Sequence, residues 1–213
     1  MGKLLAFINV RDGSVKAFSA ALAGLLLAAL TAHAAEWGIA ELMRALAQRG
    51  ADRATFVEKK FLAILDKPLE SSGELRYAPP DRLEMRTLKP KPELLVLERD
   101  KLAIERGNQK HSLRLRDYPE IAAFVESLRD TLAGDHKALE RVYRLELHGN
   151  QERWTLVMLP SDAKLAAMVL RIDVTGTRDR VRSIEILQAD GDRSVITVER
   201  IVGAASTARA QPQ

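Results

Sequence analysis

The sequence of 213 residues contains no cysteine. This absence excludes a disulfide framework, a cysteine-ligated zinc or iron–sulfur site, a cysteine nucleophile and a lipid anchor attached through cysteine. Aromatic residues make up only 5% of the chain, so a surface that stacks nucleic-acid bases is not expected. The 33 Lys and Arg are nearly balanced by 29 Asp and Glu, and the two signs are interspersed. A one-sided basic patch that binds nucleic acid is therefore not predicted.

Local motifs for enzyme chemistry are also missing from the sequence. His111, His136 and His148 have spacings that match no metal-binding pair on a helix. No nucleophile elbow surrounds Ser71, and no glycine-rich loop is present that would hold a phosphate. The Asp-Gly-Asp segment at residues 190–192 is typical of a hairpin turn rather than of a calcium loop. We therefore predict a protein that is not an enzyme and that uses no metal or cofactor.

The N-terminus has the pattern of a secretory signal peptide. Basic residues precede an uncharged run over residues 17–32, and an Ala-His-Ala sequence that fits a cleavage site ends at Ala34. The uncharged run is shorter than the roughly 20 residues that a membrane-spanning helix needs, which favours cleavage over a permanent anchor. We predict that residues 1–34 are removed and that the mature protein is periplasmic.

Two longer segments of the mature chain have the periodicity of helices. Residues 36–49 repeat apolar side chains at spacings of three and four. Residues 119–132 do the same, with a proline suited to the first turn and Gly134 suited to the end of a helix. A shorter helical turn is predicted at residues 136–139. Residues 203–213 are small and polar, and we predict a flexible tail there.

Most of the remaining chain alternates apolar and polar residues with a period of two. These runs occupy residues 73–77, 82–86, 101–106, 111–116, 143–148, 154–159, 165–174, 181–187 and 195–201. Turn residues separate them at intervals typical of an antiparallel meander of about ten strands. The apolar face of such a sheet needs a second sheet, closure into a barrel or helices to cover it. We predict a mainly β (α+β) domain over residues 35–202, in which an incomplete antiparallel barrel is covered by helices.

Residues 68–83 contain a G-x-L strand that precedes a turn with proline and a further strand. This order resembles the early strands of the LolA-type outer-membrane lipoprotein carriers. Residues 56–60 resemble the first strand of that family, and residues 93–102 resemble its next hairpin. The helix at residues 119–132 and the hairpin at residues 190–194 also fit. The resemblance extends over nearly all of the mature chain and is closest to a divergent branch of the family.

The resemblance implies a carrier with a lid of helices over a hydrophobic cavity. Such a carrier takes an acylated lipoprotein or lipid from an inner-membrane exporter and passes it to an outer-membrane acceptor, as a chaperone-like shuttle without cofactors. We expect a monomer. Arg99 replaces the glycine that the family usually has in its hairpin turn, and Pro79 stands where the family has an arginine that helps to hold the lid closed. The second departure makes an envelope lipid, glycolipid or lipid-linked pigment precursor an alternative cargo.

We predict that two sets of apolar side chains contact the acyl chain. The cavity wall is assigned to Leu75, Tyr77, Leu83, Met85, Leu95, Leu97, Leu102, Ile104, Leu113 and Leu115. The lid is assigned to Ile121, Phe124, Val125 and Leu128. A filled hydrophobic core has the same pattern, so both interpretations remain open from sequence alone.

Two other functions are compatible with the same fold. An envelope sensor or chaperone-like binding module would associate with an inner-membrane regulator and carry no stoichiometric lipid. A hydrolase acting on lipids would need a nucleophile and a base brought together from distant parts of the chain, which leaves no local motif.

Overall fold

The described part of the chain is a single large sheet with a few helices. A computed structural model describes residues 37–200. The predicted signal peptide at residues 1–34 and the predicted tail at residues 203–213 lie outside the described residues. Within the described part, no helix is both long and apolar enough to cross a membrane.

The elements follow one another in a regular order. The helices are α1 (Ile39–Ala47), α2 (Pro119–Ala133), α3 (His136–Glu140) and α4 (Ala163–Ala166), and a 3-10 turn occupies Leu115–Asp117. The strands are β1 (Asp52–Phe61), β2 (Leu69–Ala78), β3 (Arg82–Lys89), β4 (Glu93–Glu98), β5 (Lys101–Arg106), β6 (Gln109–Arg114), β7 (Tyr143–Asn150), β8 (Arg153–Pro160), β9 (Val169–Thr177), β10 (Arg180–Gln188) and β11 (Arg193–Arg200).

All the strands belong to one antiparallel sheet. It is 11-stranded, with the order β6-β5-β4-β3-β2-β1-β11-β10-β9-β8-β7. Neighbours in the sheet are neighbours in sequence except at the β1–β11 pair, where Phe56 lies opposite Val198 and Glu58 lies opposite Ile196. The strands β6 and β7 form the two edges and do not pair within the described residues. The predicted incomplete antiparallel barrel is therefore confirmed, with eleven strands in place of about ten.

Two predicted strand boundaries are wrong. The alternation predicts a strand over residues 165–174, but its first part forms the end of helix α4. The Asp162 carboxylate causes this change because it accepts hydrogen bonds from the backbone N–H groups of Lys164 and Leu165, at 2.8 and 3.0 Å, and caps a helix. The strand predicted over residues 111–116 ends two residues early, because the chain turns into the 3-10 segment.

Helix α2 begins and ends as the sequence predicts. Pro119 lies in its first turn, and Gly134 follows it with a φ of 70° in the left-handed region. Gly134 is also required for packing, because a Cβ atom there would lie 2.2 Å from the carbonyl oxygen of Met43 in α1. The two helices thus contact each other at a point where only glycine fits.

The main hydrophobic core lies between helix α1 and strands β1 and β7 to β11. Its fully buried members include Leu42 and Met43 from α1, Phe56 from β1 and Trp154 from β8. The indole N–H of Trp154 donates to the carbonyl oxygen of Arg178 at 2.9 Å, which satisfies its one polar group. A second cluster, Leu97, Leu102, Leu115 and Val125, joins α2 to the β4–β6 edge of the sheet.

Tyr143 makes the stability of the folded protein depend on pH in the alkaline range. Its side chain is 1% exposed, and burial raises the pKa of Tyr143 to about 12 from an ordinary value of 10.0. The folded protein therefore keeps a proton that the unfolded chain loses above pH 10, and the stability from this group falls as the pH rises from 10 to 12.

We expect the difference in unfolding free energy between the wild type and Tyr143→Phe to shrink on going from pH 8 to pH 11. The expected change is about 1.4 kcal/mol, equal to one pKa unit. Urea unfolding at both pH values measures it. A constant difference would show that the Tyr143 hydroxyl ionises as freely in the folded state as in the unfolded chain.

Candidate functional site

A cavity of about 450 Å³ lies between the inner face of the sheet and helix α2. Strands β1 to β4 line one side, strands β9 to β11 line the other, and α2 covers both. Ligand sites in proteins commonly have volumes of about 300–1,000 Å³ and mostly apolar walls. The size and the lining of this cavity fit a small apolar ligand or part of a longer one.

The strand register explains why the wall is apolar. Leu75 lies opposite Met85, which in turn lies opposite Leu95, so the three side chains form a row across β2, β3 and β4. On the other side of the cavity, Ile184 of β10 lies opposite Ile196 of β11. Residues that are directly opposite in an antiparallel pair share one face, so each apolar position reinforces its neighbours.

Helix α2 covers the cavity with an apolar stripe. Val125, Leu128 and Leu132 line the cavity from this helix. Thr131 also lines it, but its hydroxyl donates to the carbonyl oxygen of Ser127 at 2.7 Å and is therefore satisfied within the helix. The α2 surface over the cavity thus offers a ligand apolar contacts, and the Thr131 hydroxyl is already hydrogen bonded.

A hydrogen bond joins α2 to the turn between β4 and β5. The Arg129 guanidinium, whose side chain is 16% exposed, donates to the carbonyl oxygen of Arg99 at 2.9 Å. Arg99 has a φ of 54°, so this arginine takes the left-handed conformation that the family's glycine would adopt freely. Arg129 also pairs with Asp130 at 2.9 Å, which fixes its position.

The arginines on either side of Pro79 do not replace the family's lid arginine. Arg82 pairs with Glu84 at 2.7 Å and with Glu98 at 3.2 Å. Arg76 is exposed and alternates with the inward-facing positions of β2. In the described residues, Arg129 of α2 makes the hydrogen bond that joins this helix to the β4–β5 turn.

The predicted site residues divide between the cavity and its surroundings. The cavity is lined by Leu75, Leu83, Met85, Leu95, Leu97, Val125 and Leu128. Tyr77 instead lines an adjacent pocket of about 90 Å³ and donates its hydroxyl to the carbonyl oxygen of Pro80 at 3.3 Å. Leu102, Ile104, Leu113 and Leu115 pack in the second hydrophobic cluster. The side chains of Ile121 and Phe124 lie outside the described residues.

The second side of the cavity wall is not predicted from the sequence. It is lined by Met168, Val169, Val174, Val181, Ile184, Ile186 and Ile196, with Leu132 added from helix α2. The alternation of the strand residues in this set predicts strands but not a shared site. Their place in the site follows from the β1–β11 pairing, which brings the late strands next to the early ones.

Polar side chains occupy one end of the cavity. Glu58, Lys60, Thr87, Glu93, Gln188 and Ser194 line it there, and we call this set the polar end. The Glu58 carboxylate accepts hydrogen bonds from the hydroxyls of Ser71 at 3.0 Å and Ser194 at 2.5 Å. These two hydroxyls therefore donate to a carboxylate, which is an arrangement that fixes side chains in place.

The histidines lie apart from the cavity lining. His148 approaches Glu146 at 3.8 Å, and its side chain is 64% exposed. His111 is exposed on the edge strand β6, and His136 begins helix α3. Among residues 37–200, no three His, Cys, Asp or Glu side chains gather in a way that would hold a metal ion.

Comparison of the sequence with known protein families identifies one family. The sequence matches the family described as outer membrane lipoprotein carrier protein LolA-like over residues 29–212. The chain belongs to this LolA-like family. The divergent LolA-related branch that the sequence motifs suggested is thereby confirmed. No curated protein matches the sequence.

Solved structures resemble the LolA-like chain at low sequence identity. A LolA superfamily protein from Nitrosomonas europaea is 9% identical, covering 82% of this chain and 93% of that chain at a TM-score of 0.44. A DUF1329 family protein from Desulfovibrio piger is 13% identical, covering 78% and 92% at a TM-score of 0.46. LprF from Mycobacterium bovis is 12% identical, covering 81% and 96% at a TM-score of 0.34.

Proposed function

We propose that this LolA-like protein is a periplasmic carrier for the acyl chains of a lipoprotein or of an envelope lipid or glycolipid. It takes its cargo from an inner-membrane exporter and passes it to an outer-membrane acceptor. The cavity of about 450 Å³ between the sheet and α2 is the observation that carries the proposal. Membership of the LolA-like family supports it. Export through a signal peptide at residues 1–34 and a monomeric state are parts of the same proposal.

Acyl-chain burial supplies the binding energy without any chemical step. Each buried methylene contributes about 0.8 kcal/mol, so a chain of ordinary length is held by its transfer from water into the cavity. The contacting side chains come from both sides of the wall and from the lid, with Met85, Ile184 and Leu128 as examples. We assign binding to this set, and no residue to catalysis.

Release of the cargo requires movement of the lid. Helix α2 lies over the cavity and is tied to the β4–β5 turn through the bond from Arg129 to Arg99. A single hydrogen bond from a charged donor contributes roughly 1.5–3 kcal/mol, which is small beside the energy of a buried acyl chain. The proposed carrier therefore opens by a local change at α2, while the sheet keeps its register.

Native mass spectrometry of the protein purified from the periplasm tests the proposal directly. We expect a stoichiometric adduct whose extracted mass identifies an acylated lipoprotein or an acyl lipid. The mass of the protein itself also shows whether the chain was cleaved after Ala34. A mass without adduct, together with no uptake of added fatty acid, would contradict carriage and favour a sensor or chaperone-like module. Turnover of an acyl ester that depends on one serine or histidine would instead indicate a hydrolase.

A further inference from the structure

The polar end of the cavity lies at one end of the sheet. Lys60 is near the end of β1 and lies opposite Ser194 near the start of β11. Thr87 near the end of β3 lies opposite Glu93 at the start of β4. Because neighbouring strands are antiparallel, the end of β1 or β3 and the start of β11 or β4 lie at the same end of the sheet. The cavity therefore has a polar end and an apolar remainder, which is the distribution that an amphipathic ligand requires.

Part of the cavity lining is exposed to solvent at this same end. Met168 lines the cavity and is 43% exposed, and it lies directly before the start of β9. Gln188 at the end of β10 also belongs to the polar end and lies opposite Val169. An acyl chain that fills the apolar part therefore has its head group next to these polar side chains.

The carboxylates of the polar end already have partners. Both oxygens of Glu58 accept serine hydroxyls, and Glu93 is paired with Arg106 on the neighbouring strand β5. Lys60 differs, because its ammonium forms no ion pair or side-chain hydrogen bond among the described residues. Its neighbour Lys59, on the opposite face of the strand, pairs with Glu70 at 3.3 Å. Within residues 37–200, Lys60 is thus a cation that lines the cavity without an ion-pair partner.

We propose that Lys60 binds the anionic head group of the cargo, so that the carrier selects acyl chains that end in a phosphate or carboxylate. The proposal rests on the proposed function, because it takes the cavity as the acyl-chain site. The Lys60 ammonium offers three donors on a flexible stem, which suits an anion without fixed geometry. Thr87 and Gln188 lie at the same end and supply further hydrogen bonds to the head group.

Amphiphiles with one chain length and different head groups test the proposal. Dodecyl phosphate, dodecyl maltoside and dodecyltrimethylammonium are titrated below their micelle concentrations while they displace a fluorescent fatty acid from the delipidated protein. We expect the wild type to bind the phosphate about tenfold more tightly than the maltoside, as a charge-assisted hydrogen bond allows. High salt should reduce this preference. Inorganic phosphate alone should displace nothing, since most of the affinity comes from the chain.

Matched variants distinguish a direct contact of Lys60 with the head group from an effect of the protein's net charge. Lys60→Met should bind dodecyl phosphate and dodecyl maltoside within about twofold of each other, with unchanged affinity for the maltoside, because only the charged contact is lost. Lys59→Met, on the opposite face, should keep the wild-type preference. Lys60→Glu should favour the ammonium amphiphile.

Each outcome of the titration bears on one of the two proposals. A phosphate preference that persists in Lys60→Met, or no preference in the wild type, would overturn the assignment of Lys60 while acyl-chain carriage stands. Failure of every amphiphile to bind would overturn carriage itself. Displacement by inorganic phosphate alone would show an anion site that does not depend on an acyl chain, and would also overturn selection of the cargo through its head group.

Discussion

A single carboxylate placed in the cavity wall should weaken cargo binding strongly in a protein that still folds. Ile184 lines the cavity in the middle of β10, where Ile184→Glu introduces a charge that an acyl chain would have to desolvate. We expect the affinity for a fluorescent fatty acid to fall by about 100-fold, which corresponds to about 2.8 kcal/mol. Stoichiometric lipid should also disappear from the native mass spectrum.

The neighbouring residue provides a matched control. Ser183 precedes Ile184 on the same strand and its side chain lies on the other face of the sheet, so Ser183→Glu adds the same charge outside the cavity. This variant should bind fatty acid as the wild type does. Leu128→Asp places a charge in the cavity from helix α2 and should reproduce the loss. Wild-type affinity in both cavity variants, with native circular dichroism, would mean that the acyl chain binds elsewhere.

Gly176→Val in strand β9 should cause a large loss of stability. A Cβ atom at this position would lie 2.1 Å from Cζ2 of Trp154 and 2.3 Å from the carbonyl oxygen of Arg180. Trp154 is 1% exposed and its indole is hydrogen bonded, so the ring has no free space to move into. We expect a loss of about 3 kcal/mol, typical of severe overpacking.

Thermal unfolding measures this effect. A loss of about 3 kcal/mol in a domain of this size lowers Tm by roughly 6–12 °C. Thr175→Val is the control, because Thr175 precedes Gly176 on the same strand, lies on its other face, and accepts a β-branched residue of equal size. A change in Tm below 2 °C for Gly176→Val would show that Trp154 can leave its position over β9 without cost.

The charged side chains of the polar end show which features of the candidate site can be predicted from sequence. Glu58 and Lys60 alternate with exposed residues on β1, so their inward direction is readable once the strand is known. Their hydrogen-bond partners cannot be predicted from sequence, because Ser194 donates to Glu58 across the β1–β11 pair and is far from it in the chain. The difference between the hydrogen-bonded carboxylate of Glu58 and the ammonium of Lys60 therefore depends on long-range pairing.

Local sequence patterns predict most elements of the fold. Alternation predicts nine of the eleven strands, the family resemblance adds β1 and β4, and the residues at its ends predict helix α2, because these signals act within a few residues of each other. They failed at residues 165–168, where a capping carboxylate from Asp162 outweighed the apolar alternation. The motif order also identified the LolA-like family, which the match over residues 29–212 confirms.

The sequence by itself determined the antiparallel meander, its apolar inner face, the helix over it and the family. The tertiary structure decided which apolar residues form a wall and which form a core. Leu95 and Leu102 have the same alternation, yet Leu95 lines the cavity and Leu102 is buried in the second cluster. The reason is that a cavity is bounded by strands distant in sequence, and the pairing of β1 with β11 places Ile184 and Ile196 across from the early strands.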